Sequence, residues 1–278
     1  MVTLVDLDPW LDEACMEPSK DLRHVPLRDD EHKTHIGTSL KPDDNILVSE
    51  TLIDNADLFS MTVVDMLGVS LNIIITHRLS IYKEVRLVAQ KKRKMGEEKR
   101  DVAREKTKKL MKVGFIRKAH YTTWLVNVVM VKKSNGKWRM YVDCTDLNKA
   151  SRKDFYFLSS IERFVDGAGG HTILSFLNAY SGYNQIQMHP RDKEKTSFMT
   201  DCNNFYYEFV RFSLKNAGAI YQRLMIFKDM LSRSVEFYVH DIVVKSDSCQ
   251  QYIKDLQEVF QTLHNHGMRL NPDKYASG

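Results

Sequence analysis

The sequence has 278 residues, of which 43% are hydrophobic and 28% are charged, a balance that is typical of a globular chain rather than a disordered or fibrous one. Its four cysteines form no Cys-x-x-Cys pair, its N-terminus is too acidic for a signal peptide, and no apolar run reaches the roughly 18 residues of a membrane span. We therefore expect an intracellular protein, cytoplasmic or nuclear, without a disulfide framework. The net charge of +5 is unevenly spread: residues 1–35 carry −5 and residues 83–112 carry +8, which favours either a polyanionic partner or a solvated helix face.

The first part of the chain predicts few regular elements. Residues 1–45 are polar and contain four prolines, which is typical of a linker. Residues 46–60 have the apolar spacing of a short amphipathic helix. Residues 97–113 predict a longer helix, because acidic side chains occupy its first turns and lysines its last, as the helix dipole favours. Gly114 follows as a residue that can end this helix in a left-handed conformation.

A hairpin is the clearest prediction in the next part of the chain. Two strand-like runs, 125–131 and 138–142, flank Asn135-Gly136, and Asn-Gly between such runs is a strong hairpin signal. The tip is surrounded by cations, namely Lys132, Lys133, Lys137 and Arg139. Cations placed in this way suit the phosphates of a nucleoside triphosphate or a nucleic acid, but they also serve solubility alone.

The remaining sequence predicts a sheet covered by helices. Residues 237–244 predict a second hairpin with the polar pair His240-Asp241 at its tip. Strands are predicted at 173–177, at 205–210 and from Met268, and helices at 216–234 and 247–267. Together these elements predict an α+β fold with helices on one face of the sheet.

Several motifs in a fixed order carry a resemblance to a known family. They are Ile36-Gly37-Thr38-Ser39-Leu40, Gly114-Phe115-Ile116-Arg117, residues 129–142 around Lys137-Trp138-Arg139, Asp146-Leu147-Asn148-Lys149, residues 179–186, residues 214–219 with Tyr221-Gln222-Arg223, and the 237–244 hairpin. From about His35 to Gly278 the chain resembles the reverse transcriptase of gypsy-type LTR retrotransposons within a plant-style Pol polyprotein. The first 35 residues are similar to the tether between protease and polymerase.

The resemblance implies the fingers and palm of a right-hand polymerase, with an antiparallel palm sheet. Residues 1–45 would be the tether, 46–96 an N-terminal extension, 97–170 the fingers and 171–278 the palm. The sequence stops where the family's thumb and RNase H domain should follow, so we expect a fragment of a parent polyprotein with other Pol domains. The implied partners are an RNA template, a DNA primer and a deoxynucleoside triphosphate.

The same resemblance identifies the metal site and predicts that it is damaged. Polymerases use two magnesium ions about 3.5–4 Å apart, and the family holds them with three aspartates. Those positions are Asn178, His240 and Asp241 here, so the formal charge falls from −3 to −1. An asparagine carbonyl is a weak magnesium ligand and imidazole suits zinc or copper better. We expect the two-metal arrangement not to assemble at physiological magnesium.

Other site residues follow from the motifs. Lys133 and Arg139 would hold the triphosphate, Tyr183 would be the steric gate below the sugar, and Phe212 would pack near the incoming nucleotide. Gln222 and Arg223 would support the template and primer. Arg211-Phe212-Ser213 replaces the family's Pro-Phe-Gly, which removes a fixed φ and a permissive backbone position.

Three hypotheses remain open from the sequence. The first is a reverse-transcriptase fragment by descent whose catalysis is impaired. The second is a non-catalytic module that binds RNA or DNA through its retained cations. The third is the product of a decayed element, without function.

Overall fold

The structure is a computed structural model of the chain, and it describes residues 21–28, 33–60, 76–133, 136–155, 160–179, 185–211, 213–217, 230–231, 233–238 and 241–277. These residues divide between two compact units. The first unit contains the described residues from 74–156 and 183–221, and the second contains those from 14–73, 157–182 and 222–278.

The α-helices of the described residues have clear sequence causes at their ends. Gly114, at φ +75°, ends the second helix as predicted, and the Phe115 amide donates back to the Leu110 carbonyl at 3.0 Å. Ser248 caps the last helix by accepting from the Gln251 amide. The helices are α1 (Pro42–Asp54), α2 (Glu97–Lys112), α3 (Thr145–Ala150), α4 (Ile161–Ala168) and α5 (Cys249–Asn265).

The strands are short, and we number them in chain order across both units. They are β1 (Leu22–Pro26), β2 (Lys33–Gly37), β3 (Thr76–His77), β4 (Ile116–Lys118), β5 (Val126–Lys132), β6 (Trp138–Val142), β7 (Ile173–Asn178), β8 (Gln187–Met188), β9 (Phe198–Met199), β10 (Asn204–Tyr207), β11 (Val235–Tyr238), β12 (Asp241–Ser246) and β13 (Ala276–Ser277).

The first unit is built around a sheet whose described strands run in the order β4-β10-β9-β5-β6. The predicted hairpin is confirmed as the antiparallel β5–β6 pair, with Met130 opposite Met140. A separate parallel pair joins β3 to β8. The buried side chains of this unit include Trp124, Phe198 and Ile116. This unit therefore supplies the frame for the cationic hairpin.

The second unit is built around a sheet whose described strands run in the order β1-β2-β13-β7-β12-β11. Helix α5 covers one face with a buried apolar stripe that includes Tyr252, Leu256 and Phe260, because these residues recur at helical spacing. On the opposite face, Phe164 and Ala168 of α4 pack against Val243. The predicted α+β class is confirmed, but the predicted antiparallel sheet with helices on one face is corrected in two details. The sheet contains the parallel pair β2–β13, and α4 covers the face opposite α5.

Two predicted segments differ from the structure. Residues 22–37 fall in the predicted linker, yet β1 and β2 form a hairpin that joins the sheet through a parallel pairing of β2 with β13. Their polar composition concealed buried alternate positions such as Thr34 and Ile36. The strand predicted from Met268 is reduced to bridges at Leu270, and the strand that completes the sheet lies at 276–277.

The other predicted elements correspond to described ones, except for the helix predicted at 216–234. The helix predicted at 46–60 begins earlier, at Pro42, because proline suits a first helical position and Asp43 and Asp44 follow it. The helix predicted at 216–234 lies largely outside the described residues. In the part of the chain that the structure describes, no helix is long and apolar enough to cross a membrane.

Candidate functional site

The β7–β12 pairing brings two predicted metal-site residues together. Asn178 ends β7, Asp241 begins β12, and the two are direct cross-strand partners. Both strands are central in the sheet, so the apolar residues that follow Asp241 are buried and fix the register. Because side chains alternate along a strand, Asn178 and Asp241 lie on the same face as Val243, opposite α5.

An amide–carboxylate hydrogen bond occupies this position. Asn178 Nδ2 donates to Asp241 Oδ1 at 2.6 Å, and the Asn178 side chain is only 5% exposed. Asn178 Oδ1 is buried and has no hydrogen-bond partner among the described residues. The backbone is also fixed, since the Asn271 amide donates to the Asn178 carbonyl at 2.8 Å.

The protonation of Asp241 is set by opposing influences. Burial raises the pKa of its carboxyl group above the ordinary value, and this is the largest cause. The hydrogen bond from Asn178 and the charge of Lys274 act in the opposite direction. The carboxylate therefore lies in an environment that disfavours its charged form. His240, the remaining predicted metal position, lies outside the described residues.

The predicted triphosphate residues lie together on the β5–β6 hairpin. The Lys133 amide donates to the Lys137 carbonyl at 2.8 Å, and Gly136, at φ +79°, donates to the Lys133 carbonyl at 3.0 Å. Arg139 is placed on β6 opposite Val131. The pKa of Lys133 is lowered, first by burial and then by the charges of Arg139 and Lys137. A lysine whose pKa is lowered by neighbouring cations gains from a bound anion.

Trp138 ties this hairpin to α2, a role that the motif alone did not reveal. Its indole Nε1 donates to Glu98 Oε1 at 2.8 Å. The ammonium groups of Lys99 and Lys132 lie 5.3 and 5.5 Å from its ring centroid. No local pattern in the sequence predicts this contact, because Glu98 and Trp138 are 40 residues apart along the chain.

Asn148 anchors the segment that precedes the predicted template residues. Its Nδ2 donates to the Ser213 carbonyl at 2.7 Å, and its Oδ1 accepts from the Lys215 amide at 2.8 Å. The Arg211 guanidinium lies 4.3 Å from the ring centroid of Tyr207. Arg211 and Ser213, which stand where the resemblance implies proline and glycine, therefore both have partners within the first unit.

Four further predicted site residues cannot be placed. Tyr183, Phe212, Gln222 and Arg223 lie outside the described residues. The structure thus brings Asn178 to Asp241 in the second unit and Lys133 to Arg139 in the first. Within the described ranges, no group of three or more His, Cys, Asp or Glu residues is placed to hold a metal ion.

Comparison with known proteins identifies the family. The profile described as "Reverse transcriptase (RNA-dependent DNA polymerase)" matches residues 131–277, which is more than half of the chain. The chain belongs to the reverse transcriptase family. The match begins near the end of β5 and includes β6, β7, β11 and β12. Reverse transcriptases typically use Mg²⁺, and polymerases bind it as a pair of metal ions.

Reverse transcriptases of gypsy-type elements are among its relatives. The chain is 29% identical over 187 residues to "Retrovirus-related Pol polyprotein from transposon gypsy" of Drosophila melanogaster, which covers 63% of this chain and 18% of that protein. It is 32% identical over 173 residues to the Pol polyprotein from transposon opus of the same organism, covering 59% and 17%. The chain therefore spans less than a fifth of the length of these relatives.

Solved reverse transcriptase structures share the fold. The native foamy virus protease-reverse transcriptase has a TM-score of 0.71 and 18% identity, and the match covers 86% of this chain and 32% of that one. The foamy viral protein in complex with an RNA/DNA hybrid has a TM-score of 0.70 and 16% identity, with the same coverage. These similarities support the polymerase fingers-and-palm fold of the chain.

Proposed function

We propose that this chain derives from the RNA-directed DNA polymerase of a gypsy-type retrotransposon and that its two-metal phosphoryl transfer is impaired. The observation that carries the proposal is the 2.6 Å hydrogen bond from Asn178 to Asp241, in which an amide stands where the resemblance implies a carboxylate. The plant-style origin belongs to the same proposal and rests on the motif set. A phylogenetic tree that grouped the chain with animal or fungal elements would contradict that origin.

The donors of the described site fit two magnesium ions poorly. Asp241 supplies one carboxylate, and one of its oxygens already accepts the Asn178 amide hydrogen. Asn178 Oδ1 is an available but neutral oxygen. Magnesium gives up its water reluctantly and favours charged oxygen ligands, and the imidazole of His240 is a poor substitute. These donors therefore do not support a catalytic step that uses two magnesium ions.

The remaining assignments complete the proposal. Within the proposal, residues 46–96 are the extension, 97–170 the fingers and 171–278 the palm, whereas residues 22–37 of the predicted tether at 1–45 form the β1–β2 hairpin of the second unit's sheet. The ancestral partners are an RNA template, a DNA primer and a deoxynucleoside triphosphate. Lys133 and Arg139 would hold the triphosphate, and their placement on one hairpin supports this role. Tyr183, Phe212, Gln222 and Arg223 keep the nucleotide and template roles that the resemblance implies.

A non-catalytic nucleic-acid-binding module is the second candidate. It is favoured by the cations of the β5–β6 hairpin, because Lys132 and Lys137 are exposed to solvent beside Lys133. Phosphate binding by such cations needs no metal and weakens steeply with salt. The third candidate is the product of a decayed element without function, for which we expect neither polymerisation nor nucleic-acid binding.

Primer extension on an RNA template tests the main proposal. The natural chain and the Asn178→Asp/His240→Asp variant would each be fused to the same thumb domain and assayed with magnesium or manganese. We expect extension only by the repaired variant, since it regains three carboxylates. The matched control is Asp241→Asn in the repaired background, which should abolish the recovered extension. Extension by the unrepaired fusion would overturn the impairment.

The melting temperature with and without magnesium shows whether a repaired variant that does not extend the primer is folded and binds metal. Asn178→Asp sets a second carboxylate against Asp241, so the repaired chain should be less stable than the natural chain without metal. Because metal that binds only the folded state stabilises it, magnesium should raise the melting temperature of the repaired chain and leave the natural chain unchanged.

Binding to an RNA–DNA hybrid discriminates between the two other candidates. Affinity of the natural chain that falls steeply between about 50 and 200 mM salt supports the binding module. Cooperative unfolding with no binding at low salt would instead leave the decayed product.

A further inference from the structure

The β1–β2 hairpin carries two histidines that face each other. His24 and His35 are direct cross-strand partners, and their ring centroids are 4.8 Å apart with the planes inclined at 53°. The side chain of His24 is exposed and that of His35 is half-buried. The two imidazoles are therefore close together and accessible to solvent ions.

The backbone explains why the rings approach so closely. The Thr38 amide donates to the Asp21 carbonyl at 3.0 Å, so this pair at the end of the hairpin is hydrogen-bonded. Hydrogen-bonded and non-hydrogen-bonded pairs alternate along an antiparallel ladder. Counting along the register makes His24–His35 a non-hydrogen-bonded pair, the type in which side chains are closer.

The ring separation matches that of two imidazoles bound to one metal ion. Zinc–nitrogen bonds are about 2.0–2.1 Å, and a ring centroid lies roughly 1.1 Å behind its nitrogen. Two imidazoles on one ion at angles of about 90–110° then have centroids about 4.5–5.2 Å apart. The observed 4.8 Å falls within this interval.

We propose that His24 and His35 form a two-ligand site for a divalent transition metal ion of the zinc, nickel and copper series. Neutral imidazole suits these ions, whereas magnesium prefers oxygen. The other coordination positions are left to water or to an added ligand. Lys33 lies on the same face of the strand, two residues from His35, and its positive charge repels a cation. The affinity for the metal ion must therefore come from its bonds to the two imidazole nitrogens.

The site is separate from the candidate polymerase site, although it lies on the same face of the sheet. His35 pairs with Ala276, Ala276 pairs with Phe176, and Phe176 pairs with Val243, so these residues form one row across the strands. His35 is three strand spacings from β12, roughly 14 Å. A bound ion would cross-link β1 to β2 at the edge of the sheet, and this inference does not depend on polymerase activity.

Calorimetric titration of the full chain with zinc or nickel tests the proposal. The chain would be compared with His24→Gln, with His35→Gln and with the matched control His120→Gln, which removes a solvent-exposed histidine of the first unit. Because two linked ligands exceed either alone by about 10²–10⁴, each hairpin variant should weaken binding by about 100-fold or more. The control should bind as the natural chain does, and magnesium should give no signal at this site.

The contrary results are equally specific. Unchanged affinity in the His24→Gln/His35→Gln double variant would overturn the proposal, because the metal would then be bound elsewhere. Should a variant unfold, paramagnetic resonance of copper bound to the natural chain gives an independent answer. Two coordinated imidazole nitrogens support the pair, and a spectrum with one nitrogen rejects it.

Discussion

The two hairpins that carry candidate site residues are held in place in different ways. The β5–β6 hairpin of the first unit is tied to α2 by contacts of Trp138 with Glu98 and Lys99 near the surface. The β11–β12 hairpin of the second unit instead contains a buried ion pair, in which Lys245 Nζ lies 2.8 Å from Glu236 Oε1.

This contrast determines how each site tolerates substitution. The cations of β5–β6 are exposed or half-buried, so replacing one of them should change stability less than replacing a fully buried charge. β12 and its neighbour β7 are central strands of this sheet, so a polar replacement on either strand is tolerated only if it makes hydrogen bonds to its neighbours. Asn178 does so by donating to Asp241, and this bond avoids the repulsion that two adjacent carboxylates would create without metal. The amide at this position, where the resemblance implies an acid, is therefore compatible with an intact fold.

The largest effect is expected at the buried ion pair. Lys245 is 6% exposed, and it also donates to the Gly167 carbonyl at 2.6 Å, which ties β12 to α4. Lys245→Met leaves Glu236 buried without its partner, so the free energy of unfolding should fall by about 3–5 kcal/mol. Urea denaturation measures the change. Lys245→Met/Glu236→Leu is the matched control and should recover most of the loss, since it removes both charges.

A smaller loss is expected at Trp138. Trp138→Phe keeps a ring beside Lys99 and Lys132 but removes the hydrogen bond to Glu98, so the free energy of unfolding should fall by about 1 kcal/mol. Trp138→Ala also removes both cation–π interactions, and each of them should add about 0.5–1 kcal/mol to the loss of stability. Urea denaturation of the two variants measures these differences. Losses as large as that of Lys245→Met would contradict the contrast between the two hairpins.

The smallest effect is expected at Asp241, and it should depend on pH. Burial raises the pKa of Asp241 above 3.8 in the folded state, so ionisation of this group disfavours folding. Its stabilising contribution is complete below pH 3.8 and is lost as the pH rises through the folded-state pKa. Asp241→Asn removes this loss and should raise the melting temperature at about pH 7 but not below pH 3.8. A gain that is equal at both pH values would show that burial of the charge is not its cause.

Local patterns predicted the elements whose causes are local. The charge gradient along residues 97–113 and the Asn135-Gly136 turn act within a few residues, and α2 and the β5–β6 hairpin are found where they were predicted. The β1–β2 hairpin was not predicted, because Lys33, Thr34 and His35 make its second strand polar. Its pairing partner β13 also lies about 240 residues away along the chain. Pairing over such a separation leaves no periodic signal in either segment.

The sequence named candidate site residues but predicted their environment only in part. Motif order located Asn178 and Asp241, but the hydrogen bond between them depends on the register of β7 with β12. The buried Lys245 was likewise not evident, because a lysine after Val243 and Val244 in a strand is compatible with a solvated position. Its burial follows from α4, which packs on that face and presents the Gly167 carbonyl.

The position of β13 between β2 and β7 has a consequence for the order of folding. During synthesis, residues 22–37 leave the ribosome long before residues 276–277, the strand that connects their hairpin to the rest of the sheet. Contacts of such high sequence separation form slowly, because a long loop must close first. The edge of β2 therefore stays unpaired until residues 276–277 have been synthesised, and an unpaired strand edge can pair with another chain.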